Sequence, residues 1–327
     1  MRVSLVSTGG TIASRRGELG LEVADDVHDL VASLPTTTGI QIVPVDFSGR
    51  PSYGLSIADM LAAVRCVQAE FDSGSYAVVL THGTDTLEEM AFLCGQYFPR
   101  DARLVLTGAQ RAADVPDGDG ARNLADAVAV ATADVPVGPA IVMGGTAVAA
   151  IEGRKVHTSS LVAFSGGAAG ASALVEAGVL LPLSTPSRGG LLADLPVPDD
   201  LPRVDLVTLS AGVDGTHLLA SVEAGARGIV VEAFGSGNAN TATLEAVQTA
   251  VGKGIPVLIT SRTRNGVVRP VYGDGGGADL ERAGAIFAGD LTGSRARIAL
   301  ALALAHSSAD DGVAPLVHRM ITAGAPC

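Results

Sequence analysis

The chain reads as an α/β protein of two domains built on mostly parallel sheets. Three observations predict this. Short β-branched runs alternate with longer helical patterns, the turns after several runs are rich in glycine and threonine, and one proline-rich stretch interrupts the pattern. The 327 residues exceed one typical domain. A hydrophobic content of 47% against 17% charged supplies the cores and argues against disorder. Aromatics make up 3% and Trp is absent, so Val, Leu, Ile and Ala must fill the interior.

Strands are predicted at Val3–Ser7, Gln41–Val45, Ala77–Thr81, Arg103–Thr107 and Ala140–Met143, then at Val204–Leu209, Gly228–Ala233 and Pro256–Thr260. Helical patterns lie between and after them, at Ser56–Glu70, Leu87–Tyr97, Asn123–Ala133, His217–Ala224, Thr241–Val251 and Ser294–His306. Strand and helix at this spacing imply βαβ units, because parallel neighbours need a crossover. Residues 182–203, PLSTPSRGGLLADLPVPDDLPR, hold five prolines and no apolar periodicity and read as a stiff linker. The expected domains are 1–183 and 204–327, joined by 184–203.

Charge and composition exclude several functions. The net charge of −12 is spread along the chain and repels phosphate backbones, so no nucleic-acid partner is expected. Cys66, Cys94 and Cys327 form no CxxC or Cys/His spacing, and the six histidines never approach HExxH. Neither a metal nor a cofactor is expected. Cys66 and Cys94 fall in predicted helices, where buried free thiols are the usual finding. The opening MRVSLVSTGG leaves no room for a signal-peptide apolar region, and no stretch reads as a membrane span. The expectation is a cytoplasmic protein with no membrane partner.

The chemistry lies in the turns that leave the strands. They are Ser7-Thr8-Gly9-Gly10-Thr11-Ile12, Thr81-His82-Gly83-Thr84-Asp85-Thr86, Thr107-Gly108-Ala109-Gln110-Arg111 and Met143-Gly144-Gly145-Thr146. In an open parallel sheet, ligands bind beyond the carboxyl ends of the strands, where the strand order reverses. One such turn is explained by glycine's tolerance of positive φ. Four in one domain, with threonines and one aspartate, point to a single site lined by hydroxyls and backbone N–H groups. None has GxxxxGK[ST] spacing, and no GxGxxG follows the first strand, which disfavours a nucleotide.

Thr86-Leu87-Glu88-Glu89 reads as a capping box that starts a helix. That leaves Thr84-Asp85 at the tip, beside a helix N-terminus suited to an oxyanion or carboxylate. Asp85 there would hold a substrate ammonium or orient a lysine. The chain has only two lysines. Lys253 precedes Gly254 at a predicted helix end, an ordinary place for it. Lys155, in RKVHTSS, is either a surface cation or, partly desolvated beside a threonine, a general base.

These motifs resemble those of the bacterial-type L-asparaginase family. TGGTIAS and THGTDT are similar to its two signature motifs, with Thr11 and Thr84 separated by 73 positions. TGAQR with DGDGARNL, then KVHTSSLVAF, GSGNAN and GAIFAGDLTGSRARIALALALA, extend the resemblance over nearly the whole chain. It implies a larger N-terminal α/β domain with the active site and a smaller flavodoxin-like C-terminal α/β domain. It also implies Thr11 as nucleophile, with Thr84, Asp85 and Lys155 as a second triad that activates a threonine or water. Asp85 would grip the substrate α-ammonium and Ser52 its α-carboxylate, with Tyr53 standing where the family has glutamine. Ala109 would lie by the leaving amide, and Asn238 would come from the adjacent subunit of a homodimer or homotetramer. The sequence departs from the family in two places. Ser14–Val27 lacks the tyrosine that meets the nucleophile, and Tyr272 lies roughly where a C-domain glutamate is usual. Tyr53, and after it Tyr272, is the candidate substitute phenol.

The implied reaction is hydrolysis of the side-chain amide of L-asparagine to L-aspartate and ammonia through a threonine acyl-enzyme. One rival is a broader glutaminase-asparaginase, since a methylene is worth only ~1–3 kcal/mol of discrimination. The other is a catalytically weak amino-acid-binding homologue, against which the presence of Thr11, Thr84, Asp85 and Lys155 speaks.

Overall fold

The computed structural model describes residues 1–36, 38–176, 178–184, 189–307 and 312–322; Cys327 and positions 185–188 of the expected linker lie outside them. It divides into two compact units, Met1–Asp199 and Asp200–Cys327.

The first unit opens with β1 (Arg2–Ser7), followed by the short hairpin β2 (Ser14–Arg16) and β3 (Leu21–Val23), and by α1 (Val27–Ala32). Next come β4 (Gln41–Asp46), α2 (Ile57–Asp72), β5 (Ala77–Thr81), α3 (Leu87–Tyr97), β6 (Leu104–Thr107), α4 (Gly120–Thr132) and β7 (Ala140–Met143). Five short strands finish it: β8 (Thr146–Ala149), β9 (Arg154–Lys155), β10 (Phe164–Ser165), β11 (Ala173–Glu176) and β12 (Val179–Pro182). Every residue of β5, β6 and β7 is buried. Their unbroken apolar runs are the signature of parallel strands covered on both faces.

The main sheet has the order β12-β11-β8-β7-β6-β5-β1-β4. From β4 to β7 it is parallel, while β7–β8, β8–β11 and β11–β12 are antiparallel. The chain runs from β1 outward to β4, crosses back to β5, and then continues outward the other way. The strand order therefore reverses between β1 and β5. On one face, Val3, Leu5, Val79 and Val105 pack with Leu30 of α1 and Leu124 and Val128 of α4. On the other, the Ser4 hydroxyl meets Glu70 of α2 at 2.6 Å. The start of α2 is well defined, because Ser56 and Asp59 form a reciprocal capping box. The hairpin, α1 and the five short strands after β7 were not predicted. Elements this short carry too little periodicity to be read from a sequence.

The second unit holds β13 (Val204–Thr208), α5 (Thr216–Glu223), β14 (Gly228–Ala233), α6 (Thr241–Gly252), β15 (Val257–Ser261), α7 (Gly277–Arg282), β16 (Ile286–Phe287), α8 (Gly293–His306) and α9 (Ala314–Thr322). Its sheet is parallel, in the order β13-β14-β15-β16. Ile229, Val231 and Ile259 pack with Leu218, Val247 and Leu280 of the connecting helices. α8 approaches Gly228 so closely that a Cβ there would lie 2.7 Å from Leu300 Cδ2. Most of α8 is buried, which explains its nearly continuous apolar sequence.

Candidate active site

β1 and β5 end side by side, with Ser7 opposite Thr81. This is the point of strand reversal, where an open α/β sheet forms its crevice. The loops leaving the two strands interlock. Gly10 has φ of 89°, and a Cβ on it would fall 2.5 Å from the Gly83 nitrogen. A Cβ on Gly83 would in turn fall 2.6 Å from Ser52 Oγ. Only glycine lets these three loops stack at such distances.

Hydrogen bonds fasten the stack. Thr8 Oγ1 lies 2.9 Å from the Thr81 carbonyl oxygen and 2.7 Å from His82 Nδ1. His82 Nε2 lies 3.1 Å from Thr86 Oγ1, which in turn lies 3.2 Å from the Ser52 carbonyl oxygen. His82 is wholly buried, and burial lowers its pKa to about 4, so the imidazole is neutral near pH 7. It ties loops together. The expected capping box at Thr86 is absent: Thr86 is the N-cap of α3 but makes no side-chain capping bond. Its hydroxyl is drawn instead to His82 and Ser52.

The Thr84–Asp85–Lys155 group is assembled. Lys155 Nζ donates to Thr84 Oγ1 and to Asp85 Oδ1, both at 2.8 Å. The lysine is placed by β9, whose Lys155 N–H donates to Glu88 Oε2 at 2.9 Å. Thus the first turn of α3 anchors the strand that delivers the lysine. Glu88 was read only as part of a cap. Its position one turn after Thr84 was the available clue.

Thr11, Ser52, Tyr53, Thr84 and Asp85 share the wall of one cavity of ≈ 460 Å³. Thr11 opens a single 3-10 turn, Thr11–Ala13. Among the described residues none hydrogen-bonds its hydroxyl. Ser52 is buried, while Tyr53 is 75% exposed. Leu21, Glu22 and Val23 of the β2–β3 hairpin form part of the same wall. The segment Ser14–Val27 therefore reaches the cavity with Ser14, Leu21, Glu22 and Val23. Three-residue strands offered no signal for this.

The other predicted residues lie elsewhere. Ala109 is 1% exposed and is not on the cavity wall. It adjoins the site through Gly108, where a Cβ would meet Thr84 Cγ2 at 3.3 Å. Asn238 belongs to the second unit, where its backbone pairs with Phe234 and its Oδ1 accepts the Gly277 N–H at 3.3 Å. Tyr272 also belongs to that unit and is exposed. The fourth glycine turn is not a strand-to-helix loop. Gly144 and Gly145, with φ of 59° and 73°, form the tight turn of the β7–β8 hairpin. Paired positive φ is what the twist of a two-residue hairpin demands.

Cys66 is half-buried and Cys94 buried, both are free, and burial pushes both thiols up. Among the described residues, no group of three or more His, Cys, Asp or Glu is gathered as a metal site requires. A threonine on the same cavity wall as Thr84 and Asp85, which Lys155 bonds, suits acyl transfer, which needs a nucleophile and a proton carrier.

The chain is similar to known proteins along most of its length. The family model described as "Asparaginase, N-terminal" matches residues 2–185, and "Glutaminase/Asparaginase C-terminal domain" matches residues 203–315. A "Probable L-asparaginase" of Deinococcus radiodurans is 36% identical over 313 residues, covering 93% of this chain and 92% of its own. A glutamyl-tRNA(Gln) amidotransferase subunit of Methanosarcina mazei is 30% identical, covering 87% of this chain and 69% of its own. The crystal structure of a "Probable Cytoplasmic L-asparaginase" from Campylobacter jejuni superposes with a TM-score of 0.84 at 26% identity, over 97% of this chain and 99% of that one. Matched along most of its length by both family models and by the Deinococcus sequence, the chain belongs to the asparaginase family.

Proposed function

We propose that the chain hydrolyses the side-chain amide of L-asparagine to L-aspartate and ammonia, with Thr11 as nucleophile. The carrying observation is that Thr11 shares one cavity wall with Thr84 and Asp85, both of which Lys155 Nζ bonds. In this reading Thr11 Oγ1 attacks the amide carbon, and its proton passes by way of the Thr84–Lys155 group to the departing nitrogen. Ammonia leaves, an ester to Thr11 remains, and water releases aspartate by the reverse proton path. Asp85, fixed by Lys155 and more exposed than it, still presents carboxylate to a substrate ammonium. Buried Ser52, on the same cavity wall, would hold the α-carboxylate.

The reading extends to organisation. Residues 1–183 would form the catalytic domain, 184–203 the linker and 204–327 the C-terminal domain. Asn238 would act from a second copy in a homodimer or homotetramer. A cytoplasmic location is proposed from likeness to the Campylobacter protein.

A second reading is a broader glutaminase-asparaginase. The likeness to an amidotransferase subunit and a cavity of ≈ 460 Å³ favour it. Ammonia release from asparagine and glutamine, measured in parallel, tests both. Turnover of asparagine well above glutamine is expected. Comparable rates would support the broader enzyme, and no ammonia from either would leave an amino-acid-binding homologue.

A further inference from the structure

A second cavity, of ≈ 490 Å³, lies in the first unit, and it shares no wall residue with the catalytic one. Leu34, just after α1, and Ile40 and Ile42, around the start of β4, form one side. Ala125, Val128 and Ala129 of α4 form the other. Leu34, Ile40 and Ile42 pack against the core from its edge and are only partly buried. Positions 125 and 129 lie one turn apart on the same helix face. Both are alanine, so short side chains leave the gap between helix and strand open.

Asp126 is the one charged residue on this wall among the described residues. It is 6% exposed, and its Oδ2 is buried with no hydrogen-bond partner among them. Arg122, one turn earlier, holds its Nε 3.8 Å away, too far for a hydrogen bond, on a side chain that is 72% exposed. Burial pushes the Asp126 carboxyl pKa up, and the Arg122 charge only partly offsets this. Thr132, the other polar side chain on the wall, spends its hydroxyl proton on the Val128 carbonyl at 2.8 Å. The cavity therefore presents a negative charge in an apolar wall, with no free side-chain donor. Burying a carboxylate there is costly unless a cation completes it.

We propose that this cavity binds a small primary ammonium compound with an apolar body, its nitrogen on the Asp126 carboxylate and its body between Ile42 and Ala129. An acid would meet the Asp126 charge, and a zwitterion would bring in an anion with no donor to receive it. The volume is in the usual range for small-molecule sites. The site stands apart from the amide-hydrolysis reading and does not depend on it.

The experiment is titration calorimetry at pH 7 with three probes of one shape: 2-phenylethylammonium, 2-phenylethanol and 3-phenylpropionate. Wild type should bind the ammonium at one site per chain with a Kd of about 1 mM or tighter, the alcohol at least about tenfold more weakly and the acid not at all. Asp126→Asn should weaken the ammonium about tenfold or more, and Ala129→Phe, which fills the gap, should abolish binding. Asp85→Asn, in the catalytic cavity, should leave it within about twofold. The wild-type series needs no variant to be decisive: an alcohol bound as tightly as the ammonium, or no saturation up to about 20 mM, overturns the proposal. So does unchanged affinity in folded Asp126→Asn. Loss in Asp85→Asn with none in Asp126→Asn would assign the ammonium to the catalytic cavity and overturn it too.

Discussion

Both units carry a parallel sheet with hydroxyl residues at the carboxyl ends of its strands, yet the two ends differ. In the smaller sheet the strands follow chain order, β13-β14-β15-β16. Its end hydroxyls are spent on the protein itself: Thr208 Oγ1 donates to Glu232 at 2.6 Å, and Thr260 Oγ1 donates to the Leu291 carbonyl. The cavity there is ≈ 70 Å³. In the larger sheet the order reverses between β1 and β5, the loops part, and a cavity of ≈ 460 Å³ opens with the Thr11 hydroxyl unengaged among the described residues. A threonine at a strand end thus becomes available for chemistry where topology separates the loops around it.

The strongest test of this contrast is catalytic. Thr11→Ala and Thr84→Val should each lower kcat by about a thousandfold or more with the fold intact. Thr260→Val in the smaller sheet should leave turnover unchanged and cost about 1–3 kcal/mol in denaturant unfolding, because it orphans a buried carbonyl. Near-normal turnover in Thr11→Ala would erase the distinction.

Glycine substitutions come next. Gly10→Ala meets the Gly83 backbone at positive φ and should cost about 4 kcal/mol, with loss of activity. Gly212, at φ 83° with nothing within 4 Å, shares the backbone strain without the clash. Its change to Ala should cost about 1 kcal/mol. Equal costs, read from unfolding midpoints, would show that conformation alone, rather than loop contact, sets the requirement.

The His82 tie predicts a pH dependence. Its folded pKa, about 4, lies below the ordinary value near 6.5. Above pH 6.5 neither state binds the proton and stability is full. Between 6.5 and 4 the unfolded chain takes up the proton first, so stability falls as pH falls, by on the order of 3 kcal/mol, and levels off below. Unfolding at pH 7 and pH 4.5 should show this slope, and His82→Gln should flatten it. An equal slope in the variant would assign the effect to other groups.

The smallest effect is expected at Tyr53. It lines the cavity but is 75% exposed, and among the described residues its phenol has no hydrogen-bond partner. Tyr53→Phe should change kcat by less than about threefold. A much larger fall in kcat than in affinity would put this phenol in the proton path of Thr11, and Tyr272→Phe serves as the control.

The long elements and the reactive residue types were legible in the sequence. Runs such as AVVLT and AIVM read as buried strands, and β5 and β7 lie at the predicted residues. The TGGT and HGTD turns named Thr11, Thr84 and Asp85 of the cavity wall, and RKVHTSS named the lysine that bonds Thr84 and Asp85, because scarce chemistry-bearing types in glycine turns stand out locally. Their surroundings did not stand out. Sequence patterning could not show that the β2–β3 hairpin supplies Leu21, Glu22 and Val23, that Gly144-Gly145 turns a hairpin, or that Thr86 ties down Ser52 instead of capping α3. Nor could it show Asp119 binding the N–H groups of Gln110 and Arg111 instead of capping α4. Each depends on contacts between segments far apart in the chain, and a local pattern carries no record of the partner. The sequence by itself determined the alternating elements and which side chains can do chemistry. Strand order, and with it which hydroxyls are left unengaged and which are consumed by neighbours, was decided by the tertiary structure, since only packing brings β1 beside β5.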